Sequence, residues 1–543
     1  MKKNLTKVGA LCGALMLGAT SMAACSANNT NETTTTVGTQ NETPSTLAGV
    51  EAENITNTTA SAKTPKYIFL FIGDGMSYPQ IQLTNYYLSA LADTNNNDIL
   101  ESKNNLTMLD FPVAGSAQTY DSSSFCPDSA STATSISTGH KTYSGTINMD
   151  ETGSVSYETI AEKLKKQKGY EIGIISSVNI NHATPAAFYS HQASRSDYYD
   201  IALEMVNSGF DYFAGGGVKK PTGKDGDQKD IYELAKEAGY TVAMTQEEAE
   251  AIPSDVEKTL IIDENLADDD AMNYDMDLKD GAWALSDYVS KGIDVMENAE
   301  NGFFMMCEGG KIDWACHAND AAATLTDTIA LDEAVKVAVD FAKEHADETL
   351  ILVTGDHETG GLTIGYAGTD YDTFLTNISN QKISYAKFDS DYVAGYKENK
   401  TDFDTVMKDI TELFGLEAPA EDTQKTSQKD SADLHPESED TGSLVMTEYE
   451  YQKLKDAYET TMSRTGEETE YSQEEYVLYG SYEPLTVTIT HILNNKSGIN
   501  FASYAHTGLP VAVLADGVGA ETFDNFYDNT DIYYKLAELT GVK

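Results

Sequence analysis

The chain has 543 residues, 40% of them hydrophobic, which is enough for a sizeable core and excludes a disordered polymer. Its 87 acidic against 36 basic residues give a net charge of −51. A field of that sign repels phosphate backbones and excludes nucleic acid as a partner.

At the N-terminus "MKKNLTK" carries three lysines and no acid, and the short apolar run "VGALCGALMLGATSMAA" ends at Cys25. Residues 1–24 read as a signal peptide, too short and wrongly flanked for a spanning helix. The ending "SMAAC" resembles a bacterial lipobox, with Cys25 as the lipidated first mature residue; the alternative is ordinary cleavage after Ala23 or Ala24. Residues 25–64 then form the lipidated cysteine and a Thr/Asn-rich tether, reaching on the order of 35 Å as a random coil. The expected location is extracytoplasmic, lipid-anchored to the membrane. Cys126, Cys307 and Cys316 remain, an odd number without framework spacing, so no disulfide scaffold is expected.

The globular part, 65–543, opens on "KYIFLFIGDGM", whose apolar run at 67–72 predicts a strand buried on both faces. Similar runs follow at 171–178, 302–308, 349–356 and 509–517, with helical patterns at 157–169 and 321–345 between them. This alternation predicts an α/β fold of three layers, a mostly parallel central sheet flanked by helices. Residues 368–498 break the rhythm and read as a large insertion. Within it, 401–415 predicts a helix with a threonine cap and a terminal glycine.

Ligands of open parallel sheets bind beyond the carboxyl ends of the strands. Asp74 follows the first run, and His182 and Thr184 follow the second. Glu308, Asp313 and His317 follow the third, Asp356 and His357 the fourth, while His506 precedes the last. Each alone is weak, but carboxylates and imidazoles converging on one sheet edge suit Zn²⁺, and carboxylate with hydroxyl suits Mg²⁺. Against 34 lysines there are only two arginines, Arg195 and Arg464. Arg195 closes "HATPAAFYSHQASR", and only arginine offers a planar fork for an oxyanion. His140 and His491 have no evident partner in the sequence.

"FIGDGM", "PDSASTATSISTGHKTY", "HATPAA…H…SR", "EGGKIDWACH", "TGDHETGG" and "AHTGLP" resemble, in order, the motif set of the alkaline phosphatase family, over 66–367 and 499–540. The resemblance implies a catalytic domain spanning 65–543 that hydrolyses small phosphate monoesters. It implies one Zn²⁺ held by Asp313, His317 and His506, and a second by Asp74, Asp356 and His357. An Mg²⁺ is implied at Asp74, Thr184 and Glu308. Ser129 matches the nucleophile that is transiently phosphorylated, Arg195 the phosphate clamp, and a homodimer is implied as well. Two zinc ions about 4 Å apart would bracket an in-line displacement.

Two positions depart from a common bacterial pattern: His182 stands where many members have Asp, and Trp314 where many have Lys. Both lie behind the metal ligands, and the departures imply altered magnesium preference and product release. The competing functions are a diesterase, sulfatase or mutase of the same superfamily, and an extracellular phosphate-binding lipoprotein. "CPDSA" lacks the arginine a sulfatase needs, and a binder has no use for Ser129 beside metal ligands.

Overall fold

The computed structural model describes residues 63–93, 100–419, 442–465 and 471–543. The signal, Cys25, nearly all of the tether and most of the acidic stretch after Leu416 lie outside the described residues. None of the described helices is long and apolar enough to cross a membrane.

The strands are β1 (Tyr67–Gly73), β2 (Val113–Gln118), β3 (Glu171–Ser176), β4 (Tyr212–Gly215), β5 (Thr241–Ala243), β6 (Thr259–Ile262) and β7 (Phe303–Gly309). They continue with β8 (Thr349–Gly355), β9 (Glu358–Thr359), β10 (Leu362–Ile364), β11 (Ile499–Phe501), β12 (His506–Thr507), β13 (Val511–Gly517) and β14 (Phe526–Asp528). Ten of them form one sheet in the order β14-β2-β13-β8-β1-β7-β3-β4-β6-β5. Only β13 runs against its neighbours, pairing antiparallel with β8 and β2. The α/β sandwich expected from the alternating runs is the fold.

The central strands are apolar on both sides because helices cover both faces. Ile68, Leu70 and Ile72 face one core, Tyr67, Phe69 and Phe71 the other. Each such side chain contributes roughly 1.5–3 kcal/mol by burial. Register matters more for function. Gly73 pairs with Gly309 on one side and with Gly355 on the other. Three strands therefore end on one line: Asp74 and Asp356 follow it in the same register, and Glu308, opposite Ile72 at the end of β7, joins Asp74 there.

Local boundaries differ from the sequence pattern where caps decide them. The helix expected from 157 starts at Ile160, because the Thr159 hydroxyl accepts the Glu162 N–H, and its last turn, Leu164–Lys168, widens to a π-turn. In the helix Phe403–Phe414 the cap is Asp402, not the preceding threonine. β13 starts only at Val511, since Pro510 has no N–H to give a ladder. Among the described residues, Cys126, Cys307 and Cys316 are unpaired.

Between β10 and β11, which pair antiparallel, the chain builds an apolar cluster of its own from Phe388, Val406, Ile410, Phe414, Leu454, Leu485 and Ile489.

Candidate active site

Ser129 opens the helix Ser129–Thr138, whose ten residues are all buried and, Ile136 apart, small enough for close approach. Asp128 is the N-cap and accepts the Ser131 N–H at 3.1 Å. Ser129 Oγ lies 3.4 Å from Asp74 Oδ1 and 3.2 Å from His357 Nε2. The same His357 nitrogen is 3.3 Å from Asp74 Oδ1 and 3.4 Å from Asp356 Oδ2. Asp74, Asp356 and His357 thus point ligand atoms at one spot beside the hydroxyl. Gly75 is required here: it has φ +70°, and a Cβ would lie 2.9 Å from Thr359 Oγ1 and 3.0 Å from Asp313 Oδ1.

A second group joins Asp313, His357 and His506, with His317 beside them. His317 Nδ1 donates to the Tyr504 carbonyl at 2.6 Å, and His506 Nδ1 to the Pro127 carbonyl at 2.5 Å. Those bonds aim both Nε2 atoms, 3.1 Å apart, at each other. They lie 3.4 Å and 3.6 Å from the two Asp313 oxygens. Two imidazole nitrogens facing each other beside a carboxylate are what a metal cation bonds and what otherwise repels. Although burial opposes both charges, His317 holds Asp313 well below the usual carboxylate range, and Asp313 pushes His317 up to about 9.

A third group comprises Asp74, His182 and Glu308. Thr184 Oγ1 donates to Asp74 Oδ2 at 3.2 Å, and Ser176 donates to Glu308 Oε2. Glu308 Oε1 and His182 Nδ1 are buried without a hydrogen-bond partner among the described residues. Burial and neighbouring carboxylates push Glu308 up to about 8, Asp356 up to about 7, and Asp74 well above its ordinary range. Oxygen donors crowded against their own charge, with one oxygen unspent, fit a hard cation. The residues present therefore fit bound metals at all three groups.

Arg195 donates through Nη1 to Asp128 Oδ2 at 2.8 Å and through Nη2 to His182 Nε2 at 3.0 Å. Its side chain keeps a quarter of its surface exposed. With Nε2 accepting, His182 carries its hydrogen on Nδ1, and burial together with Arg195 lowers its pKa to about 3. It is a neutral ring. The Trp314 indole meets it edge-on, ring centres 6.0 Å apart.

All the sequence-selected residues within the described range come together here. Missed were the residues that aim them: Asp128 on Arg195, Thr132 on Asp356 at 3.0 Å, and Thr359 on Asp313 at 2.5 Å. Asp128 had a legible signal, an acid at the N-cap of the serine helix; the two threonines had none. His491 does have a partner, Asn319 Oδ1 at 3.0 Å, and His140 stacks on Tyr157 at 4.1 Å.

An α/β sheet edge with grouped cation ligands around a serine and an arginine defines a metal-dependent hydrolase. The family model "Alkaline phosphatase" matches residues 65–542. Alkaline phosphatase 4 of Bacillus subtilis is 26% identical over 496 residues, 89% of this chain and 91% of its own. Alkaline phosphatase 3 of the same organism is 29% identical over 480 residues, 86% and 87% of the two chains. The crystal structure of a cold-active alkaline phosphatase from a psychrophilic Shewanella superposes with a TM-score of 0.67 at 25% identity, covering 87% of this chain and 99% of that one. The chain belongs to the alkaline phosphatase family. It is a phosphatase, an enzyme that hydrolyses phosphoesters.

Proposed function

We propose that the enzyme hydrolyses small phosphate monoesters through a phosphoserine at Ser129, with two Zn²⁺ and one Mg²⁺ as cofactors. One observation carries this: Ser129 Oγ sits at a helix N-terminus within 3.4 Å of both Asp74 and His357, inside a shared ligand group. Asp313, His317 and His506 would hold one zinc, Asp74, Asp356 and His357 the other, and Asp74, Thr184 and Glu308 the magnesium. When bound, the metals supply positive charge for the serine oxygen, the leaving oxygen and the hydrolytic water.

The chain's own residues do the rest. Ser129 Oγ bonds to phosphorus as the bond to the alcohol oxygen breaks, and the serine proton leaves with the alcohol by way of solvent. Water then bonds to phosphorus and gives up a proton by way of solvent, the bond to Ser129 breaks as Ser129 Oγ regains a proton, and inorganic phosphate departs. The N-terminal N–H groups of the serine helix favour the negative charge gathered there. Arg195, held by Asp128, presents a planar fork to two terminal oxygens; a monoester has three unesterified oxygens and can give two to the fork and the third to the metal-ligand groups, whereas a diester has only two in all. Turnover of p-nitrophenyl phosphate against its bis-ester, in wild type and Ser129→Ala, tests the proposal. Preference for the bis-ester would move the enzyme to the diesterases.

Because His182 is neutral and offers only an N–H towards the third group, it gives magnesium none of the anionic support an aspartate would. His182→Asp is expected to tighten Mg²⁺ several-fold and to raise activity at limiting Mg²⁺. Unchanged magnesium dependence would count against this.

We further infer an extracytoplasmic enzyme, lipid-anchored through Cys25 and working as a homodimer. The lipobox-like "SMAAC" and the polar tether support the anchor. A lipid probe should label the protein in its host and fail to label Cys25→Ala; equal labelling would refute the anchor.

A further inference from the structure

The helix that carries Asp313 and His317, Lys311–His317, stops at a left-handed residue. Asn319 has φ 53°, its N–H donates to the Cys316 carbonyl at 3.0 Å, and the Asp320 N–H donates to the Ala315 carbonyl at 2.9 Å. Glycine is the usual residue in such a turn, because a Cβ makes the left-handed region costly. Asparagine stands there instead, only 2% exposed, and its amide is fully used. Nδ2 donates to the Cys316 carbonyl at 2.8 Å and to the Ser503 carbonyl at 2.9 Å. Cys316 adjoins His317, and Ser503 adjoins Tyr504, whose own carbonyl accepts from His317 Nδ1. His506 follows two residues later. The Asn319 side chain therefore ties together the two segments that bear His317 and His506.

The tie is itself held by the insertion. With both Nδ2 hydrogens given to carbonyls, Oδ1 is the acceptor, so His491 Nε2 donates to it at 3.0 Å. Asn494, one turn on in the helix Pro484–Lys496, donates to the Asn319 carbonyl at 2.8 Å. The His491 ring also lies against that of Tyr504, centres 5.9 Å apart and planes 26° from parallel. Tyr504 in turn donates its hydroxyl to the Leu478 carbonyl at 2.5 Å. Thus three insertion residues grip the backs of both histidine-bearing segments.

We propose that Asn319 is a positioning residue for the Asp313–His317–His506 group, and that the insertion braces it through His491. The inference rests on the reading of that group as a zinc site. A site ready for zinc must keep two Nε2 atoms facing each other, 3.1 Å apart, and bracing both backbones does so. Metal affinity falls when the groups that orient the ligands are lost.

The test uses the full-length enzyme, stripped with chelator and titrated with zinc alone against a chromophoric chelator. Asn319→Gly keeps the left-handed turn and removes only the amide. It is expected to raise the Kd of one of the two zinc ions about tenfold and to spare the other. His491→Leu should act in the same direction, and His491→Gln, which keeps an N–H donor, should restore binding. The gain in Tm on adding zinc should shrink in Asn319→Gly, whereas a merely structural role would lower Tm equally with and without zinc. An unchanged Kd in Asn319→Gly, or an equal Tm loss in both states, would overturn the proposal. Asp313→Ala is the control. If it loses one zinc and Asn319→Gly does not weaken it, only the brace falls; if it binds zinc as wild type does, the zinc reading falls with it.

Discussion

Ser129→Ala is expected to lower kcat for p-nitrophenyl phosphate by about 10⁴- to 10⁶-fold, the range seen when a covalent nucleophile is removed. The fold should survive, because alanine favours a helix, as Ala130 and Ala133 already do in this one, and Asp128 still caps it. Residual turnover would come from water on the same ligand groups, so KM should change little. Rapid acid quench of wild type with labelled substrate should leave phosphate on the protein, and Ser129→Ala should carry none. A variant with more than about a tenth of wild-type kcat would show that water attacks directly and that Ser129 merely lines the site.

Chelation is the second large effect. Removing the metals should abolish turnover and lower Tm by at least about 5 °C, since ligands bound only by the native state stabilise it. The loss should deepen with pH, and the sign follows from the carboxylates. Burial and mutual repulsion raise Glu308 from 4.5 to about 8 and Asp356 from 3.8 to about 7. Between those values the native state binds more protons than the unfolded chain, so stability falls as pH rises. The chelated enzyme should therefore lose Tm steadily from about pH 5 to pH 8, while the Zn²⁺- and Mg²⁺-restored enzyme does not. Thermal scans across that range decide it. A chelated protein whose Tm is flat with pH would mean that these carboxylates do not share one crowded site.

Much of the site was legible because its chemistry lies in a few residue types at strand ends. Asp74, Glu308 and Asp356 each follow an apolar run that could only be a buried strand. Arg195 stood out by the scarcity of arginine. Less legible were residues that act by aiming others. Thr359 and Thr132 look like any threonine until their hydroxyls are found on Asp313 and Asp356.

By itself the sequence determined the sheet's composition, the strand ends that carry carboxylate and imidazole, and the family. These depend on local pattern and residue type, which each short segment carries whole. Only the tertiary structure decided how the groups meet. The shared register of β1 and β8 lines up Asp74 and Asp356, that of β1 and β7 brings Glu308 to the same sheet edge, and His506 faces His317 across 189 residues of sequence. The physical reason is that pairing register and long-range closure are set by how the sheet and its covering helices pack together. No single segment contains that information.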